Sequence, residues 1–190
     1  MLDKKFFAKI KQILLDYAEK RREVIKSAGD AQHLSKQAIF ALQRDSTAEA
    51  DRLLAEAEGI IHQLVKKYQK DEDLFDEGAY RAGLEEFVEA FLFRQCLNNK
   101  ILSAVSDLNI DPDIYVGGLA DVPGELARYA VKSATERKFE IVKRCLEQAE
   151  EIIGVMIEMN LTGYNRQKFD QAKQSLGKIQ QIYYEVSIRK

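Results

Sequence analysis

Only two of the 190 residues are proline, and through nearly the whole chain apolar side chains return with a period close to 3.6. Strict alternation is almost absent, so the pattern specifies helices rather than strands. Phe6, Ile10, Ile13, Leu14, Tyr17, Val24 and Ile25 mark a long first helix, which continues or restarts after Gly29–Asp30 and carries Leu34, Ala38, Ile39 and Leu42. Asp45–Thr47 supplies capping residues for a second helix with Leu53, Leu54, Ala57, Ile60, Ile61, Leu64 and Val65. After the acidic connector "DEDLFDEG" (71–78), a third helix is expected from about Ala79 to about Val105. "DLNIDPDIYVGG" (107–118) reads as the one long break. Helices are then expected from about Asp121 to Ser133 and from about Glu136 to Met159. A last helix carries Phe169, Ala172, Leu176, Ile179, Tyr183 and Val186, a seam near 3.5 that suits bundling or a subunit contact. The expectation is an all-α fold of six to seven helices in a single domain, residues 1–190.

Within that pattern, "GLEEFVEAFLFRQCL" (83–97) is unusual. Leu84, Phe87, Val88, Phe91 and Leu92 form an ordinary core stripe. The opposite face should be polar, yet it holds Ala82, Ala90, Phe93, Cys96 and Leu97 around Glu86 and Glu89. These two carboxylates are three residues apart and project side by side; Glu85 lies between the faces, within reach of Glu89. A second acidic pair, Asp121 and Glu125, falls in "GGLADVPGELARYA". There the residues also fit a helix start, with Asp121 as N-cap, Pro123 in the first turn and Glu125 near the positive helix end.

If the pairs converge, like charges ~4 Å apart repel by about 4 kcal/mol each at an effective dielectric of ~20. Protons, cations or a metal must then relieve the cluster. An all-oxygen donor set selects hard ions, Mg²⁺ or Mn²⁺, over zinc. Other sites fit less well. His33 and His62 are isolated, no Glu-x-x-His pair supports a di-iron bundle, and "VGG" and "SLGK" lack the phosphate-loop framework. In a calcium-loop register, "DLNIDPDIYVGG" has Pro112 in place of the turn glycine and Gly118 in place of the closing glutamate.

The net charge of −2 conceals an asymmetry. Residues 1–44 carry +5, residues 45–125 carry −11 and residues 126–190 carry +4. Basic ends around an acidic middle allow a cationic surface to frame an anionic pocket. Lys20, Arg21, Arg22 and Lys26 recur at helical spacing, either as a phosphate-tracking stripe or as a solvated face. Arg128, one turn after Glu125, reads as a salt-bridge partner or a phosphate clamp. No apolar run approaches the ~18 residues of a membrane span, and the basic start lacks a continuous apolar stretch, so a cytoplasmic protein without membrane contact is expected. Cys96 and Cys145 sit in helical apolar patterns and read as small buried hydrophobes.

Four ordered blocks carry a resemblance over nearly the whole chain. "LEEFVEAFLF" (84–93) followed by "YVGGLADVPGELARYAV" (115–131) resembles the translin family, in its translin-associated factor X branch. "KSAGDAQHLSKQAIFALQR" (26–44) and "AKQSLGKIQQIYYEVSIR" (172–189) are similar to that family's first-helix and last-helix signatures. The resemblance implies about seven helices assembled into a hollow, usually octameric shell that binds single-stranded RNA or DNA on its inner surface. It further implies a Mg²⁺-dependent endoribonuclease whose acidic residues match Glu86, Glu89, Asp121 and Glu125. A single chain carrying every motif implies a homo-oligomer. On this reading Glu86, Glu89 and Asp121 bind Mg²⁺ (or Mn²⁺), and Glu125 is a fourth ligand or orients the water. Arg21, Arg22, Lys26 and Arg128 contact RNA. The alternatives are a non-catalytic single-stranded RNA or DNA binder of the translin type, and a helical scaffold that binds only protein.

Overall fold

The computed structural model of the chain describes residues 1–105 and 107–188; Arg189, which ends the fourth resembling block, lies outside them. The described residues form six α-helices, α1 (Lys4–Gln43), α2 (Thr47–Tyr68), α3 (Gly78–Leu97), α4 (Pro112–Thr135), α5 (Phe139–Glu158) and α6 (Gly163–Ser187), with a 3₁₀ turn at Glu72–Asp76. No strand occurs among them.

The first helix does not restart at Gly29. It runs unbroken for 40 residues, about 60 Å at 1.5 Å per residue. Asp3 caps it by accepting from the backbone N–H of Lys5 and Phe6. Its second half buries Val24, Ala28, Ala31, Ala38, Ile39 and Leu42 against α2 and α3. Its first four turns bury nothing, and Phe6, Phe7, Ile10, Ile13, Leu14 and Tyr17 are exposed. Asp45, expected among the capping residues of α2, instead closes α1 at φ +61° and accepts from Tyr129 and Lys132. Ser46 occupies the N-cap position of α2.

The third helix is buried on both faces, which explains the missing polar side in its sequence. Phe87, Val88, Ala90, Leu92 and Phe93 have no exposed surface, because α1 packs on one side of α3 and α4 on the other. It ends at Leu97, not near Val105. Asn99 takes the left-handed conformation (φ +54°), and its N–H bonds back to the Cys96 carbonyl. The apolar residues after it serve a connector that buries Val105.

The fourth helix likewise begins nine residues before the expected start. Asp111 is its true N-cap, accepting from the Asp113 N–H at 2.8 Å, and Pro112 occupies the first turn, where its fixed φ favours the helix. Pro123 therefore lies inside α4, and Asp121 is not a cap. The Gly117–Gly118 pair is not a break either. A Cβ on Gly118 would stand 2.7 Å from both the Glu85 backbone oxygen and Val88 Cγ1, and one on Gly117 would meet the Glu85 carboxylate. The pair lets α3 and α4 touch at backbone distance. At the other crossing, a Cβ on Gly83 would stand 2.6 Å from the Ala28 carbonyl oxygen of α1.

The apolar seam of α6 packs within the chain: Phe169, Ala172 and Ile179 are buried in the group formed by α4, α5 and α6. Cys96 and Cys145 are free and buried, as expected, and burial pushes both thiols up to about 12.

Candidate active site

The close approach of α3 and α4 brings both acidic pairs together. Glu86 and Glu89 project from α3, and Asp121 and Glu125 from α4 one and two turns beyond the glycine pair. Glu89 feels the charge of Asp121, Glu86 and Glu125, and Glu86 feels that of Asp121. The two pairs thus form one electrostatic centre.

Glu89 is its least compensated member. It is only 8% exposed and makes no hydrogen bond or ion pair among the described residues. Burial, then repulsion from Asp121, Glu86 and Glu125, pushes its carboxyl up to about 9. Lys168 acts the other way but more weakly, so the surroundings favour the protonated form of Glu89 in the metal-free protein. Glu86 is raised too, chiefly by burial, although Lys36 Nζ at 3.6 Å and the Gln32 side chain favour its charged form. Glu125, also 8% exposed, accepts from the Gln43 amide of α1 at 2.9 Å and pairs with Arg128 at 3.1 Å.

Lys168 of α6 completes the centre and was not anticipated from sequence. Its ammonium donates to Asp121, to Glu85 at 2.5 Å and to the Gly117 carbonyl at 3.4 Å. Burial disfavours its charge, but hydrogen bonds to the two carboxylates outweigh that and raise its pKa above the usual lysine value. At Asp121 the balance falls the other way, and burial lifts the carboxyl despite Lys168. Glu85 faces this lysine and the Tyr164 hydroxyl, 2.9 Å away, rather than Glu89. Only distance in sequence hid Lys168; nothing local in "NRQKFDQ" distinguishes it from a solvated lysine.

Of the anticipated cations, Arg128 is at the centre and largely exposed. Arg21 is paired with Glu77, and Lys20 with Asp71 at 2.7 Å; Arg22 and Lys26 are exposed. Arg21 lies fifteen residues before Lys36 on the same helix, about 22 Å along its axis. His33 contacts Gln37 at 3.0 Å and His62 approaches Glu58 at 3.8 Å, both one turn away on their own helices.

Four carboxylates, one buried without a partner, are chemically suited to a hard divalent cation. They do not form a closed cage: among the described residues, no group of three or more His, Cys, Asp or Glu is arranged to hold a metal. Nor, among these residues, is any helix long and apolar enough to cross a membrane.

Residues 19–190 match the sequence profile of the translin family. The chain belongs to this family. Its fold is shared with solved structures of similar length. One is described as the crystal structure of AfC3PO, with a TM-score of 0.89 and 23% identity, covering 97% of this chain and 98% of that one. Apo-NeC3PO gives 0.86 at 21% identity over 98% of each chain. A complex of AfC3PO with duplex RNA gives 0.86 at 22% identity over 97% of each. No curated protein sequence matches the chain.

Proposed function

We propose that this chain is a Mg²⁺-dependent endoribonuclease acting on single-stranded RNA as a homo-oligomer, with the α3–α4 acidic centre as its active site. The observation that carries the reading is Glu89, a buried and unpartnered carboxyl with three further acids acting on it. Surface glutamates are hydrated or paired with a cation, whereas Glu89 is only 8% exposed and has no ion pair among the described residues. Glu86, Glu89 and Asp121 would hold the ion, with Glu125 adding a fourth oxygen or orienting the attacking water. When bound, such an ion activates water and offsets charge developing on the phosphate. Glu89 must release its proton for this, so metal affinity should rise with pH. Lys168 holds Asp121 and Glu85 in place. Arg22, Lys26 and Arg128 would follow the phosphate backbone, and binding should weaken as salt rises. Arg21 joins them with its charge already matched by Glu77. A relative of the same fold is described in complex with duplex RNA, so duplex and single strand both belong in the test.

The second reading, binding of RNA or single-stranded DNA without cleavage, is favoured by one observation. Lys168, Lys36 and Arg128 already match Asp121, Glu86 and Glu125, so that among the described residues no three-donor group stands ready.

Labelled single-stranded and duplex RNA, incubated with the purified protein in Mg²⁺ or in EDTA, separates the two. Cleavage in Mg²⁺ alone is expected. Glu89→Gln, which mimics the protonated side chain, should abolish cleavage and retain RNA binding. Full activity in that variant, with contaminating nuclease excluded, refutes the assignment. Retention of RNA without cleavage at any concentration of Mg²⁺ or Mn²⁺ establishes the second reading instead. Mass measurement in solution reports the number of copies, for which the family resemblance sets an expectation of eight.

A further inference from the structure

Beside the acidic centre, the end of α1 and the start of α2 enclose an open cleft of about 480 Å³, lined by Lys36, Phe40, Arg44, Glu49 and Arg52 among others. Lys36, Phe40 and Arg44 follow one another at four-residue steps and share one face of α1. Phe40 is 62% exposed in the last turn of α1, and the Arg44 guanidinium lies 5.0 Å from its ring centroid. Lys36 joins this surface to the active site through Glu86, and Gln43, next to Arg44, reaches Glu125. From this juxtaposition we infer that Phe40 and Arg44 form a stacking platform for an unpaired RNA base next to the scissile phosphate, with Lys36 and Arg52 receiving the flanking phosphates.

The charge of the cleft chooses the occupant. An apolar protein surface laid over Phe40 would strand Lys36 and Arg44 away from water, and Arg52 pairs with an exposed Glu56 at 3.3 Å. Glu49 is the one acid in the lining. A polyanion with flat faces satisfies the cations and the ring together, and stacking on an aromatic or guanidinium plane accepts any base. Bases in a duplex already stack on each other, so the platform selects single strands over blunt duplex. This inference rests on the proposed function above, because it assumes RNA at the acidic centre.

The chain has no tryptophan, so Phe40→Trp introduces a sole tryptophan at the platform, excited at the red edge where the eight tyrosines do not absorb. The variant is titrated in EDTA, where cleavage does not intrude, with a single-stranded oligoadenylate, a blunt RNA duplex and heparin. Quenching by the single strand alone is expected. Quenching of equal size by heparin or by duplex overturns the platform, as does emission that shifts with protein concentration before RNA is added, since another copy of the chain then covers the site. In parallel, Phe40→Ala should weaken single-strand binding about tenfold with no change in its salt dependence, whereas Arg44→Ala should lower the salt slope by about one. Phe40 is exposed, so an unaltered circular dichroism spectrum is expected to accompany the loss. If the unaltered protein binds single-stranded RNA and Phe40→Ala binds equally well, the platform is wrong and the nuclease reading stands. If the unaltered protein binds no RNA, both fall.

Discussion

On its α6 side the acidic centre is closed. Lys168 reaches Glu85, Asp121 and the Gly117 carbonyl from beneath the Tyr164 ring, with its ammonium 5.2 Å from the ring centroid. On its α1 side the centre is open. Lys36 stands 3.6 Å from Glu86 and is more than half exposed, and Gln43 offers Glu125 a neutral amide. Two glutamates four residues apart on α3 therefore live differently: Glu85 is committed to an ionic lock, and Glu89 is left with a proton. Buried charge matching on one side ties α3, α4 and α6 together, whereas on the other the matching is exposed and leaves Glu89 without an ion pair among the described residues.

The largest effect should come from the uncompensated side. In metal-free native protein Glu89 keeps its proton to about pH 9, whereas in the unfolded chain it loses it near 4.5. The native state binds more protons between those values, so stability should fall as pH rises, by about 1.4 kcal/mol per unit from this group alone. Denaturant titrations in EDTA between pH 5 and 9 should show this slope and its flattening in Glu89→Gln; parallel curves would remove Glu89 from its isolated position. Next is the lock. Lys168→Met leaves two partly buried carboxylates without a counter-charge and should cost about 3 kcal/mol at pH 8, and less as pH falls, because burial raises the Asp121 pKa and favours its protonated form. Lys36→Met, on the open side, should cost under ~1 kcal/mol; equal losses would erase the contrast. Gly118→Ala should cost about 1–3 kcal/mol by forcing α3 and α4 apart. Gly117→Ala should cost less, because the Glu85 side chain can yield. The smallest change is expected for Arg21→Ala. Its charge is matched by Glu77, and RNA affinity measured by anisotropy should move less than about twofold.

The helical period was legible because it is local, and so were Glu86 and Glu89, because they are out of place on an apolar face; Asp121 and Glu125 read equally well as an ordinary helix start. What misled were residues with two physical uses. Pro112 reads as a breaker but also suits a first turn, and only Asp111 before it reveals which. Gly117 and Gly118 read as a loop, yet their lack of side chains serves a crossing with α3 that local sequence does not announce. Asn99 ends α3 through backbone conformation while the apolar pattern runs on. Lys168 lies 47 and 83 residues from its partners, and the Phe40 cleft needs α2 folded back on α1 before it exists. Charge at helical spacing drew attention to Arg21 and Arg22, although neighbouring acids decide which cations remain available.

The projecting start of α1 has a consequence of its own. Helical turns without tertiary packing are marginal in water, and among the described residues no other element packs on this segment, so its order depends on what rests against Phe6, Phe7, Ile10 and Leu14. In a chain that assembles with copies of itself, helicity at the amino terminus then becomes a function of concentration. Dilution, well before heat or denaturant, is the condition under which the first turns would fray.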